Sequence, residues 1–506
     1  MKITENLLIF LLLVSVSGCT MSASRQFFKE PERSPEAAYF FDSLDRIVKQ
    51  QKATNKGVTR IEGFPYLAAD RFLASMKDRI DSDEAFTSWL DRMAELSLES
   101  RFKEIRNIPL AAIKRFHDET NLIENSSREA LWESTQAYAA VMMRSDKTRN
   151  GFREALKEAV RVDDDYSMTL RVFGIYPVAA LPLAYVSEGF FDKLRGWQKT
   201  PVEEHQILGE LVTYQSRGKV GVNREETSRK FRTAKRDGLG LPVLDKDQKS
   251  SLAQRFAPVI VQDSVDVYDT IGEVFWNDKG ILEINQEQPV VYYFFSNSFL
   301  RGKPIWQINY VFWYPGRLGN NTPWFERGFI DGVTVRVSLD LNGEPFMIDL
   351  MNNCGCSHQF FPRKKLIAGI KERSMMFDAL VPAWMPETFP EKPVKIRINS
   401  GWHQVLHIGE EPTTDLIKQY ELRPYAELES LPYKGETYKS MFNTEGLVPG
   451  SDRVEPYFMF SSGIRDIGAM RQRGHHPTAL IGRAHFDDPN LFDLNFRWEE
   501  ESKTEP

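Results

Sequence analysis

The hydrophobic period of this chain changes once along its length, and that change constrains the fold more than any single motif. Between residues 34 and 165 apolar side chains recur at helical spacing. Ser34-Pro35-Glu36 reads as a helix start: an N-cap, a proline in the first turn, then an acid. Phe40, Phe41, Leu44, Ile47 and Val48 follow on one face. Ser82-Asp83-Glu84 opens a second helix with Phe86, Trp89, Leu90, Met93 and Leu96 along one side. Residues 125–127 open a third, carrying Leu131, Tyr138 and Met142. After about residue 250 the period becomes that of strands. Residues 290–295 and 305–314 are aromatic and β-branched. Residues 333–340, then Asn342-Gly343, then 345–350 read as a hairpin, because Asn-Gly supplies the positive φ of a tight turn. Residues 394–399, Ser400-Gly401 and 402–408 read as a second.

The expected fold class is therefore α+β, a mainly helical region over 34–215 followed by a larger domain built on antiparallel sheet over 249–506. Residues 216–248 are expected to form a basic, glycine-containing linker. Between 216 and 238 eight basic residues stand against three acidic ones, so this stretch is either a solvated connection or a run that meets lipid phosphates. A chain of 506 residues is long for one core. A hydrophobic share of 42% fits well-packed globular structure, and a net charge of −6 argues against a dedicated nucleic-acid binder. Residues 172–186 carry no charge, but they are too few to span a bilayer and contain Pro177 and Pro182; buried core is the expectation. The aromatic run from Tyr292 to Phe295, with Trp306, Tyr310, Phe312, Trp313 and Tyr314, suits sheet core better than a sugar groove.

The first eighteen residues read as an export signal: Lys2, an uncharged run over 7–16, then small residues before Cys19. Val16-Ser17-Gly18-Cys19 resembles the lipobox of bacterial lipoproteins. That resemblance implies cleavage before Cys19, a lipid on its thiol, and a tether over 19–33. Thr20, where an aspartate would retain a lipoprotein at the inner membrane, implies delivery to the outer membrane and its periplasmic face. Several acyl chains on Cys19 would hold the protein without a membrane-spanning helix.

Lipidation of Cys19 leaves only Cys354 and Cys356, in a compartment that oxidises exposed thiols. Six of the eight histidines lie after residue 350. Cys354, Cys356 and His358 alternate in an extended chain, roughly 6.6 Å apart, yet Gly355 can turn the backbone so that they converge. Two thiolates and an imidazole, with a fourth ligand from His403, His407, His475 or His485, would make a zinc or copper set. If 402–408 is a strand, His403 and His407 lie about 13 Å apart and cannot share an ion. The rivals are a strained Cys-Gly-Cys disulfide and a pair of inert buried thiols. Haem c attachment fails on spacing. Arg471, Arg473 and Arg483, near Arg465, His475, His476 and His485, offer an anion site or a set of ordinary ion pairs.

No zinc-protease helix, phosphate loop, nucleophile elbow or dinucleotide fingerprint is present in the sequence. The phrases Cys354-Gly355-Cys356-Ser357-His358-Gln359-Phe360-Phe361-Pro362 and Arg483-Ala484-His485-Phe486-Asp487-Asp488-Pro489 resemble those of proteobacterial envelope proteins of unknown function, which implies no activity. The expected role is a cell-envelope lipoprotein that binds or supports, held on the membrane by its lipid and open to other envelope components. The alternative is a metal- or thiol-dependent enzyme centred on Cys354, Cys356 and His358.

Overall fold

The structure, a computed structural model, describes Phe27 and residues 34–218, 224–373, 377–411 and 414–499. Cys19 and the rest of the signal and tether lie outside the described residues, as do Lys219 and Gly221 of the basic run.

The chain is α+β. Among the described residues twelve helices are numbered α1 to α12: Pro35–Gln50, Arg71–Met76, Asp83–Asn107, Leu110–Thr120, Arg128–Lys147, Phe152–Ala159, Met168–Phe173, Tyr176–Lys199, Arg224–Thr233, Lys246–Arg255, Pro456–Met459 and Leu491–Asn495. The N-terminal ones begin where local chemistry places them. The side chains of Ser34, Ser82 and Ser127 accept from the backbone N–H groups of Ala37, Ala85 and Ala130, satisfying donors that a helix start leaves free. Phe40 of α1 stacks on Tyr138 of α5 at 4.5 Å.

Ten strands form the main sheet, numbered β1 to β10: Glu210–Ser216, Val259–Ser264, Val290–Leu300, Lys303–Arg317, Gly328–Leu339, Pro345–Asn352, Gln359–Pro362, Lys395–Ile398, Val405–Gly409 and Leu416–Pro424. Their order across the sheet is β7-β6-β5-β4-β3-β10-β1-β2-β8-β9. Most pairs are antiparallel; β10 runs parallel to both of its neighbours, and β8 runs parallel to β2. Tyr292, Tyr310, Phe312, Trp313 and Tyr314 are fully buried, so these aromatics are core.

Three expectations change. The stretch 216–248 is not a plain linker. It holds α9 and the start of α10, and Phe231, Leu239, Leu241 and Leu244 are buried in the main core. Arg92 of α3 pairs with Asp237 at 2.6 Å, and Gly238 N–H donates to Ser88. One apolar cluster joins α1, α3 and α5 to the main sheet, and β1, N-terminal to that stretch, is an inner strand of it. Next, the β5–β6 turn has positive φ at Gly343 alone, and the register shifts between Pro345 and Met347. The Asp340 carboxylate accepts from the N–H groups of Asn342 and Glu344, so a bulged turn replaces the tight two-residue one. Finally, residues 172–186 are not buried core. Val172, Phe173, Val178, Leu181 and Tyr185 of α7 and α8 stand in the open.

Candidate functional site

The loop between β6 and β7 folds Cys354 and Cys356 onto each other. Gly355 N–H donates to Asn352 O at 2.8 Å and Asn352 N–H donates to Cys356 O at 3.0 Å, which closes the loop. Gly355 has φ +96°, and a Cβ there would lie 2.4 Å from Pro477 O, so only glycine fits. The result sets the Cys356 N–H 3.4 Å from Cys354 Sγ. Both cysteines are free thiols. A hydrogen bond from the Cys356 thiol brings Cys354 down to about 7 against the opposing effect of burial, and the Arg317 guanidinium helps. The same bond, with burial, pushes Cys356 up.

Charged side chains from distant segments surround the pair. Arg317 at the end of β4 grips Asp331 of β5 through two bonds of 3.0 Å and donates to Glu326 at 2.8 Å. Asp331 meets His403 Nδ1 at 2.7 Å, and His403 Nε2 meets Asp269 at 3.0 Å. Burial disfavours charge on His403, but hydrogen bonds to the two carboxylates outweigh it and raise its pKa. The ring stacks on Tyr314 at 3.9 Å. Glu326 also accepts from the Trp402 indole at 2.6 Å. Glu455 is pushed up to about 8 by burial, then by the negative charges of Cys354 and Glu326. Near neutrality it is a protonated acid.

A second charge group lies on β5 and β6. Asp349 and Arg336 are cross-strand partners, with Arg336 Nε 3.0 Å from the carboxylate. Asp349 also meets His358 Nε2 at 2.8 Å. Burial lowers the His358 pKa and outweighs Asp349, so the imidazole is neutral.

Part of this constellation borders a cavity of about 430 Å³. Cys354, Cys356, His358, Glu326 and Glu455 lie on its lining, and Phe190, Phe325, Phe360, Met459, Ile464 and Leu480 make much of the rest. The space suits an apolar molecule of modest size with a few polar groups to orient it.

Of the sequence candidates, Cys354, Cys356 and His358 share this cavity. Neither thiol hydrogen-bonds an imidazole. The four histidines considered as further ligands are elsewhere and each has an acid beside it: His403 has Asp331 and Asp269, His407 has Glu411 at 2.7 Å, His475 has Asp165 at 2.8 Å, and His485 has Asp165 at 3.3 Å. His403 and His475 use both ring nitrogens, His475 through Lys56 O as well. A charged imidazole that donates from both nitrogens has no lone pair for a metal. Among the described residues no group of three or more His, Cys, Asp or Glu is placed to hold an ion. The donors present do not fit the zinc or copper set.

The arginines do not gather either. Arg473 makes two bonds of 3.0 Å to Glu429, Arg483 pairs with Asp164 at 2.6 Å, and Arg471 donates to the carbonyls of Arg465 and Asp466. Arg471 and Arg473 border a space of only about 30 Å³, enough for a water and too small for phosphate.

Arg317, Glu326 and Glu455 were not foreseen. Their positions are remote in sequence from Cys354, and no local pattern marks them. Compared with family models, curated proteins and solved structures, the chain matches none.

Proposed function

We propose that this chain is a cell-envelope lipoprotein that binds an apolar, acyl-like molecule in the cavity beside Cys354. One observation carries the reading: a cavity of about 430 Å³ walled largely by aromatic and aliphatic side chains, with Lys193, Glu326, His358, Arg373, Asp378 and Glu455 as its ionisable groups besides the two thiols. Burial of a hydrocarbon there supplies affinity at about 25 cal/mol per Å² of apolar surface, and the protonated Glu455 offers one hydrogen-bond donor to a polar head. The Val16-Ser17-Gly18-Cys19 motif supports a lipid anchor on Cys19, and Thr20 supports outer-membrane delivery. Labelled palmitate should enter the wild-type chain and not Cys19→Ala.

The binding test uses cis-parinaric acid, a fluorescent fatty acid. Its fluorescence should rise on adding the protein, and Leu480→Trp, which fills the cavity, should abolish the rise. Equal binding by both proteins would refute the reading.

A second reading, thiol chemistry on the bound molecule, is favoured by Cys354 being held at about 7 at the edge of that cavity. Parinaric acid should then protect Cys354 from iodoacetamide.

A further inference from the structure

The walls of the cavity have an outer side. α8 lines the cavity with Ser187, Phe190 and Lys193, the turn Trp324–Glu326 lines it with Phe325 and Glu326, and α11 with its approach lines it with Met459 and Glu455. The same elements turn large apolar side chains outward. Leu181 is 73% exposed, Tyr185 84%, Trp324 63% and Tyr457 80%; on α7, which precedes α8, Val172 is 71% and Phe173 78% exposed. The elements that carry them touch one another. Trp324 packs edge-on against Phe458 of α11 at 5.8 Å, and the chain just after α11 packs on α7 and α8, with Ser461 against Gly174.

Monomeric soluble proteins rarely leave so large an apolar surface uncovered. The chemistry of the patch favours lipid over protein. No charged residue occurs from Val172 to Ser187, whereas a protein interface carries about one hydrogen bond per 100–200 Å² and a polar rim that sets register. Tyrosine and tryptophan at the patch are side chains that settle at the boundary of headgroups and acyl chains. No described helix is long and apolar enough to cross a membrane, so the face would lie in one leaflet. The tether agrees. Phe27, eight residues after Cys19, packs against Phe152 of α6 at 6.0 Å. At no more than about 3.5 Å per residue, the anchored cysteine stays within roughly 28 Å of that ring. α6 is the helix that leads into α7.

We propose that the outward faces of α7, α8, α11 and the Trp324 turn seat in a lipid leaflet, and that an acyl chain of a membrane lipid enters the cavity between them. The entry step rests on the apolar-ligand reading above; the seating does not.

The test uses the full lipidated chain in phosphatidylethanolamine–phosphatidylglycerol vesicles containing brominated acyl chains. Tryptophan fluorescence should be quenched, and the quenched fraction should fall in Trp324→Phe. The double variant Leu181→Asp, Tyr185→Asp should stay vesicle-bound through Cys19 and melt as the wild type does, because both positions are exposed, yet lose the Trp324-dependent quenching. Equal quenching with and without Trp324, or full quenching in the double variant, overturns the seating. Self-association in solution with no lipid quenching overturns it in favour of a second copy. Quenching that persists while parinaric acid fails to bind overturns the entry step and the apolar-ligand reading together.

Discussion

The backbone N–H of Cys356 points at the sulfur of Cys354 from 3.4 Å, and the two thiols share a hydrogen bond that lowers one and raises the other. They therefore titrate as a pair. Iodoacetamide labelling of Cys354 should rise with a midpoint at about 7. In Cys356→Ala the chief cause of that lowering is gone, and the midpoint should move up toward the ordinary thiol value of about 8.5. An unmoved midpoint would show that the pairing is not what tunes Cys354.

Glu455 links stability to pH. Folded, it holds its proton up to about 8 because burial disfavours the carboxylate. An unfolded glutamate releases its proton near about 4.3. Between those limits the folded state binds more protons, so this residue makes stability fall as pH rises. Glu455→Gln should remove the dependence and stabilise the protein at pH 8 by roughly 4 kcal/mol. Thermal melts of both proteins at pH 5 and pH 8 measure it; an equal difference at the two pH values would contradict the assignment.

His403 lies between Asp331 and Asp269, fully buried. His403→Ala would leave two carboxylates without the cation they share, at a cost of about 3–5 kcal/mol. Because its pKa is raised in the fold, the stabilising contribution is complete below about 6.5 and fades as pH climbs through the raised value. Denaturant unfolding at pH 6 should therefore show a larger penalty for the variant than at pH 9.

The Gly355 position tests the loop. Gly355→Ala forces a side chain into a left-handed backbone and against Pro477 O. Such a substitution should destabilise the protein by about 1–3 kcal/mol and uncouple the two thiols, so the Cys354 labelling midpoint should rise as it does in Cys356→Ala. Retention of a midpoint near 7 would mean that the loop tolerates the change.

Much of the fold was legible because its signals are local. Serine caps with apolar stripes mark α1, α3 and α5, and β-branched runs mark β3, β4, β5 and β6. Arg336 and Asp349 each interrupt an apolar strand, and the hairpin puts them opposite each other; a charge in a buried strand demands such a partner. Other features were not legible. Hydropathy shows which side chains avoid water and not what covers them, so the uncharged stretch over 172–186 reads as core although most of its large side chains are exposed. The cavity draws on α8, the Trp324 turn, the Cys354 loop and the Glu455 segment. Only the folded chain brings these together, and sequence spacing carries no trace of it. The histidines near the C-terminus suggested ligands because their types are right, while their carboxylate partners, Asp165 and Asp269 among them, lie far upstream.

The position of β10 has a consequence for how the molecule assembles. It pairs through residues 416–420 with β1 and through residues 421–424 with β3. It is thus the splice between a five-strand ribbon, β7 to β3, and a four-strand ribbon, β1 to β9. Until residues up to 424 are in place the two ribbons have no strand in common, and the contact that joins them spans some two hundred residues of chain. Loops that long close slowly, so the main sheet of this chain is completed late in folding.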